Sequence, residues 1–179
     1  MNSRIFRFAL ASLMAFSLAS MARAELDPSD RTGFRQLERA FTLDWNQHNA
    51  AALAALWVED GDLVDPFGNA ASGRAAIEQL LSMQLGPAGI FGRSRYEIKR
   101  STYRLITSEV AVADWTVTVY NMLDDIRAPL PPQTHQVVLV LTKNASFSWL
   151  VNAARPTPYV GLREVQGGVE EELESQDRE

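Results

Sequence analysis

An α+β domain is predicted by three observations: a helix-patterned first half, a strand-patterned second half, and a turn-rich seam between them. Phe34, Leu37, Phe41 and Trp45 fall at i, i+3, i+7 and i+11, one apolar stripe on a helix of 3.6-residue period. Beyond the loop "GPAGIFGRS" the texture changes. "RYEIKRSTYRLI", "EVAVADWTVTVYNM", "HQVVLVLT" and "FSWLVNAARP" are β-branched or aromatic runs separated by turn residues. Helices segregated from an antiparallel meander give the α+β class.

The elements follow in order. Residues 1–24 carry basic Arg4 and Arg7, an uncharged run from Phe8 to Ala22, and a small-x-small Ala22-Arg23-Ala24, the pattern of a secretory signal. Its 15 uncharged residues fall short of the ~20 that span a bilayer. The expectation is cleavage after Ala24 and a mature protein that is periplasmic or secreted and free of the membrane. A retained anchor is the alternative. Residues 27–47 read as a helix capped by Asp27, with Pro28 at its first position and Asp30 in its first turn. "NQHN" breaks it, Asn49 caps a second helix "AAALAALW", Gly61 ends that helix, and "DLVD" is a brief strand. Ser72-Gly73 opens a third helix, "RAAIEQLLSMQ", which stops at Gly86-Pro87. Four long strands follow, with "LTKNASFSW" as a hairpin turn. Residues 161–179 hold seven acids against two arginines and little apolar bulk, the composition of a solvated tail. The domain proper is expected over residues 25–160.

Composition excludes several classes of function. Residues 1–24 contain three arginines and no acid, so the remainder has 14 basic and 22 acidic side chains, a net charge of −8. Nucleic-acid binding depends on clustered Lys and Arg, so no nucleic-acid partner is expected. The chain has no cysteine, which removes disulfides, thiol catalysis and thiolate metal sites. With His48 and His135 as its two histidines, a three-histidine zinc site is impossible. No dinucleotide fingerprint, flavin signature or metal cluster is present, so no cofactor is expected.

The stretch "DLVDPFGNAASGRAAI" (62–77) draws attention because a short strand ends in a carboxylate, Asp65, pinned by Pro66. Residues before proline are pushed toward extended backbone, so Asp65 finishes the strand and shares a face with Leu63. Two roles stand open: a turn aspartate accepting backbone N–H groups from Phe67 or Gly68, or a carboxylate at the mouth of a pocket.

With "ALAALWVEDGDLVDPFGNAASGRAAIEQLL" (52–81) between helices and meander, and "WLVNAARPTP" as last strand, residues 30 to 158 resemble the NTF2-like superfamily. The likeness is to its SnoaL-like, DUF4440 and SgcJ/EcaC-type members, and more distantly to ketosteroid isomerases. The resemblance implies a cone in which three N-terminal helices pack on a curved antiparallel sheet around a blind apolar pocket, and a homodimer formed through the outer sheet face. It also implies a general base: "DPFG" matches the isomerases' "DPxG" segment, whose aspartate corresponds to Asp65. A base in an apolar pocket contributes on the order of 10²–10⁴ in rate. The isomerases' oxyanion donors have no counterpart, because the tyrosine position falls on Phe41 and the late-strand acid near Val138. Tyr96, Tyr103 and Tyr120 remain as hydroxyls on other walls.

His135 shares a strand face with Val137, Leu139 and Leu141, which allows either an acid–base pair with Asp65 or a rim position. His48, beside the cap Asn49, reads as structural. Asp62 reads as a solvated turn residue, and one of Asp114 and Trp115 must face inward. The candidate site therefore consists of Asp65 and His135 as catalytic groups, with Phe41, Trp57, Tyr120 and Asn152 as ligand contacts, Arg155 at the rim, and no metal. Expected of the protein is an exported domain that binds a small apolar molecule. The alternatives are a cofactor-independent isomerase, cyclase or hydrolase using Asp65, and a dimerisation or partner-docking module with its pocket filled by Phe41, Trp57 and Trp149.

Overall fold

Asp27 starts the first helix. In the computed structural model, which describes residues 26–124 and 126–158, its carboxylate accepts the Asp30 N–H at 2.8 Å, and Pro28 occupies the first turn of α1 (Pro28–Asn46). The apolar stripe of α1 is buried as its spacing requires. His48 turns the chain with a left-handed φ of 54°, and its Nε2 lies 3.0 Å from the Phe91 carbonyl. Asn49 then caps α2 (Ala50–Ala54), accepting the Ala52 N–H at 3.0 Å. The expected signal segment (1–24) and acidic tail (161–179) lie outside the described residues.

Two expectations need correction here. The second helix stops at Ala54, and Trp57, read as its end, instead opens an eight-residue strand, β1 (Trp57–Val64). Gly61 is not a stop signal; it lies inside β1, where a Cβ would come within 3.0 Å of both the Asn152 carbonyl oxygen and Trp57 Cδ1. The glycine is required by close approach of two strands, which a propensity reading takes for a break. β1 turns back on a short strand, β2 (Ala70–Ser72), before α3 (Arg74–Leu85).

The four long strands fall where their composition places them: β3 (Arg95–Leu105), β4 (Val110–Tyr120), β5 (Gln133–Lys143) and β6 (Trp149–Pro158). The sheet runs β2-β1-β6-β5-β4-β3. It is mixed and not wholly antiparallel, because β1 enters beside the last strand and pairs with β6 in parallel. Helices packed on one face of a six-stranded sheet preserve the α+β class.

Period-two alternation sets the inner face. Trp115, Val117 and Val119 of β4 and Val137, Leu139 and Leu141 of β5 are buried, while Asp114 and Val138 are exposed. These side chains pack against the α1 stripe and Leu53, Ile77 and Leu81. One end of the layer is closed by a polar clasp. Buried Asp30 accepts the Trp149 indole N–H at 3.1 Å and pairs with Lys143 at 2.6 Å, whose ammonium stands 4.9 Å over the Trp149 ring. Lys143 ends β5 and His135 lies near its start, so the clasp and the candidate site occupy opposite ends of the sheet. No described helix is long and apolar enough to cross a membrane.

Candidate functional site

Between the C-terminal half of α1 and the inner face of the sheet lies a cavity of about 60 Å³. Phe41, Trp45, Trp57, Phe91 and Tyr96 supply aromatic walls, and Val117, Val137 and Leu139 floor it. The rings touch one another: the Phe41 centroid is 5.8 Å from Trp57 and 5.3 Å from Tyr96, and Trp45 is 5.1 Å from Phe91. Phe41 and Trp57 are therefore wall residues of the cavity, and they also take up much of the interior. Half-buried Pro66, Gln84 and Pro156 bring one end of the cavity to the surface. Pro156 pairs with Val137 and Ala154 with Leu139, so His135, two residues before Val137, belongs to this outer end.

Asp65 lines the cavity and is only 6 % exposed. Its Oδ1 accepts the Phe67 and Asn69 backbone N–H groups, both at 2.8 Å. Its Oδ2 accepts the Asn69 side-chain amide at 2.8 Å and a short contact from Gln84 Nε2. An ionised carboxylate offers about four acceptor positions, and four donors occupy them. The backbone adds to the turn, with Asp65 N–H on the Asn69 carbonyl at 2.9 Å and Gly68 N–H on the Asp65 carbonyl at 3.1 Å. Both sequence roles thus apply to its position: Asp65 organises the turn and faces the cavity, and its lone pairs are committed to the turn.

His135 lines the same cavity and is 7 % exposed. Burial lowers its pKa, because an imidazolium loses hydration there. Its Nδ1 is fully buried without a hydrogen-bond partner among the described residues. Tyr96 is buried, and desolvation pushes its hydroxyl well up, which keeps it a neutral phenol. Asp65, Gln84 and His135 are thus the polar side chains the fold brings to this cavity, together with the Tyr96 phenol and the indoles of Trp45 and Trp57. Both indoles are engaged elsewhere: Trp45 donates to Ser94 at 2.9 Å and Trp57 to the Asp62 carbonyl at 3.2 Å.

Two expected ligand contacts lie elsewhere. Tyr120 is on the opposite face from Val117 and Val119. Its hydroxyl donates to Glu97 at 3.2 Å, and the Arg95 guanidinium lies 5.3 Å from its ring. Asn152 sits where the β5–β6 register shifts, between the Val140–Ala153 and Leu141–Val151 pairs, and the extra residue turns it off the inner face. Arg155 pairs with Asp62 on the surface, so Asp62 is a strand residue in an ion pair. Trp149 does not fill the cavity; its ring packs tilted against Phe34, with centroids 4.8 Å apart, beside the clasp. Tyr103 donates to Glu38 at 2.6 Å and accepts from Trp115 at 2.9 Å.

Gln84, Asn69, Phe91 and Pro156 were not anticipated. For Gln84 a signal exists: Ile77, Leu80, Leu81 and Leu85 form the buried stripe of α3, and residue 84 falls on it, so a polar side chain there needs an inward partner. For Phe91 the signal is an apolar pair inside a glycine-rich loop.

A helix layer packed on a six-stranded mixed sheet, with an apolar cavity between them, is the architecture of the cystatin-like and NTF2-like class of fold. The sequence pattern of the SnoaL-like domain matches residues 37–146, and the chain belongs to that family. None of the curated proteins compared with it matches. Among solved structures it is similar to an uncharacterised cystatin-like protein from Caulobacter vibrioides, with 19 % identity, TM-score 0.66, and 76 % of this chain and 94 % of that one covered. An NTF2-like protein from Novosphingobium aromaticivorans is similar at 20 % identity and TM-score 0.61, covering 77 % and 87 %. A third is described as a putative calcium/calmodulin dependent protein kinase II association domain, from Xanthomonas campestris, with 18 % identity, TM-score 0.58, and 78 % and 96 % covered. At these identities the likeness speaks for the fold.

Proposed function

We propose that this protein is a binding domain for a small, largely apolar molecule held in the cavity, exported through a cleaved signal at residues 1–24 and working as a homodimer without a cofactor. The observation that carries the reading is the commitment of Asp65. A general base needs a lone pair within reach of the proton it takes, and here all the acceptor positions are occupied by Phe67, Asn69 and Gln84. What remains around the cavity is apolar wall, and apolar walls with few polar groups are the ordinary make-up of a small-molecule site.

Size sets the ligand's limits. The cavity of about 60 Å³ is under half the ~150 Å³ of an engineered cavity that accepts benzene. A ring-sized ligand therefore needs a wall side chain such as Phe91 to swing outward together with its exposed neighbour Phe67, 6.1 Å away.

Two other readings have one observation each. Asp65 and His135 share the cavity, which favours an isomerase, cyclase or hydrolase if Gln84 releases Oδ2. The small cavity and its touching rings favour an assembly role, and the Xanthomonas relative described as an association domain is in keeping with that.

Native mass spectrometry of protein purified gently from its own host separates them. The binding reading expects a dimer whose subunits begin at Glu25 and carry a small molecule of constant mass. A bare dimer that also takes up no apolar probe would overturn it in favour of assembly.

A further inference from the structure

Resting on the binding reading, we infer that the ligand is a neutral molecule with an apolar body and one hydroxyl or carbonyl group, and that the His135 imidazole receives this group. The inference starts from an unmet requirement. Buried polar atoms in folded proteins almost always have partners, and one left without costs about 1–3 kcal/mol. Nδ1 of His135 is such an atom, on a ring that lines the cavity. The charged group there, the Asp65 carboxylate, is already saturated, and the Tyr96 hydroxyl is not among the fully buried atoms left without a partner, so the unmet requirement at this cavity falls on His135.

Placement gives the ligand a direction. Leu139 and Trp57, each nearly inaccessible to solvent, form the deep end. His135 stands toward the outer end with Pro66, Gln84 and Pro156. An apolar body enters first, and its single polar group stops beside His135.

Charge is settled by the same walls. No lysine or arginine lines the cavity among the described residues, so an anion would be desolvated beside the Asp65 carboxylate without compensation. A hydroxyl suits either imidazole tautomer, since it can donate to a bare ring nitrogen or accept from a protonated one.

The test uses full-length mature protein and three probes of one shape: 4-methylphenol, 1,4-dimethylbenzene and 4-methylbenzoate. Affinities come from NMR titration of wild type, His135→Phe, and Phe91→Ala, which supplies room should the wild-type wall hold. The His135 assignment predicts that 4-methylphenol binds about tenfold more tightly than 1,4-dimethylbenzene. It also predicts loss of this preference in His135→Phe and the weakest binding for 4-methylbenzoate. A second readout does not depend on the variant folding: the His135 ring nitrogen resonances should move with 4-methylphenol and stay put with 1,4-dimethylbenzene. Equal binding of the two neutral probes would overturn the His135 assignment and leave the binding reading standing. Tightest binding by 4-methylbenzoate would overturn the neutral class. No binding of any probe to either wild type or Phe91→Ala would overturn both.

Discussion

Removing the Asp65 carboxylate should destabilise the fold measurably, and the size of the effect separates a turn-holding group from a catalytic one. In Asp65→Ala four donors lose their acceptor: the Phe67 and Asn69 N–H groups and the Asn69 and Gln84 amides. A hydrogen bond to a charged group contributes about 1.5–3 kcal/mol. The turn is only part-buried, so water replaces some of what is lost, and the net expectation is about 3 kcal/mol rather than the full sum. With a urea m-value of about 2 kcal/mol/M, the unfolding midpoint should fall by about 1.5 M at unchanged slope. Asp65→Asn keeps one acceptor oxygen for the two backbone groups and sets an amide against two amides, so it should lose about half as much. Equilibrium urea unfolding followed by tryptophan fluorescence reads both. Midpoints within about 0.3 M of wild type for both variants would refute the reasoning, for then the carboxylate does not hold the turn and is free for other work.

Three further expectations follow from other parts of the molecule. His135 is held neutral by burial, with a folded pKa below its ordinary value of 6.5, so the unfolded chain takes up the proton first as pH falls. The stability this contributes is complete above 6.5 and is lost as pH drops toward the folded value; urea midpoints of His135→Phe should therefore fall less between pH 7 and pH 5 than those of wild type. Lys143→Met strands the buried Asp30 carboxylate with only the Trp149 indole; a loss of about 3 kcal/mol is expected, and Asp30→Asn in the same background should recover part of it in urea melts. Gly33→Ala would place a Cβ 2.8 Å from Trp149 Cδ1, on a ring held by Asp30 and Phe34. The usual helical gain of about 0.5–1 kcal/mol should reverse to a loss of about 1 kcal/mol, visible as a lower melting temperature.

The α1 stripe, the caps at Asp27 and Asn49, α3 and the four long strands were legible because their information is local: a period, a side-chain oxygen beside free N–H groups, a run of β-branched residues. What was not legible depended on partners far along the chain. Trp57 joins a strand because β6, nearly a hundred residues later, lies beside it, and Gly61 is small because Asn152 passes close. The parity of β4 was readable in part. Trp115 and Tyr120 must face opposite ways, but only the packed layer decides that Trp115 is inside. Asn152 shows the limit of parity: one bulge between Val140 and Leu141 reverses the rule for a single residue. For the site, "DPFG" located the carboxylate at the cavity, and the resemblance supplied its candidate role. Its saturation could not be read, since two of its four donors come from Asn69 and Gln84 side chains whose direction only the fold determines.

The central claim is that the cavity binds while Asp65 holds its turn. A crystal structure of the protein purified from its own host, at a resolution that orients side-chain amides, tests it most directly. The account predicts density for a small molecule in contact with His135, with Phe67, Asn69 and Gln84 still donating to Asp65. A bound molecule hydrogen-bonded to Asp65, with Gln84 swung away from Oδ2, would contradict it and hand the site to general-base chemistry.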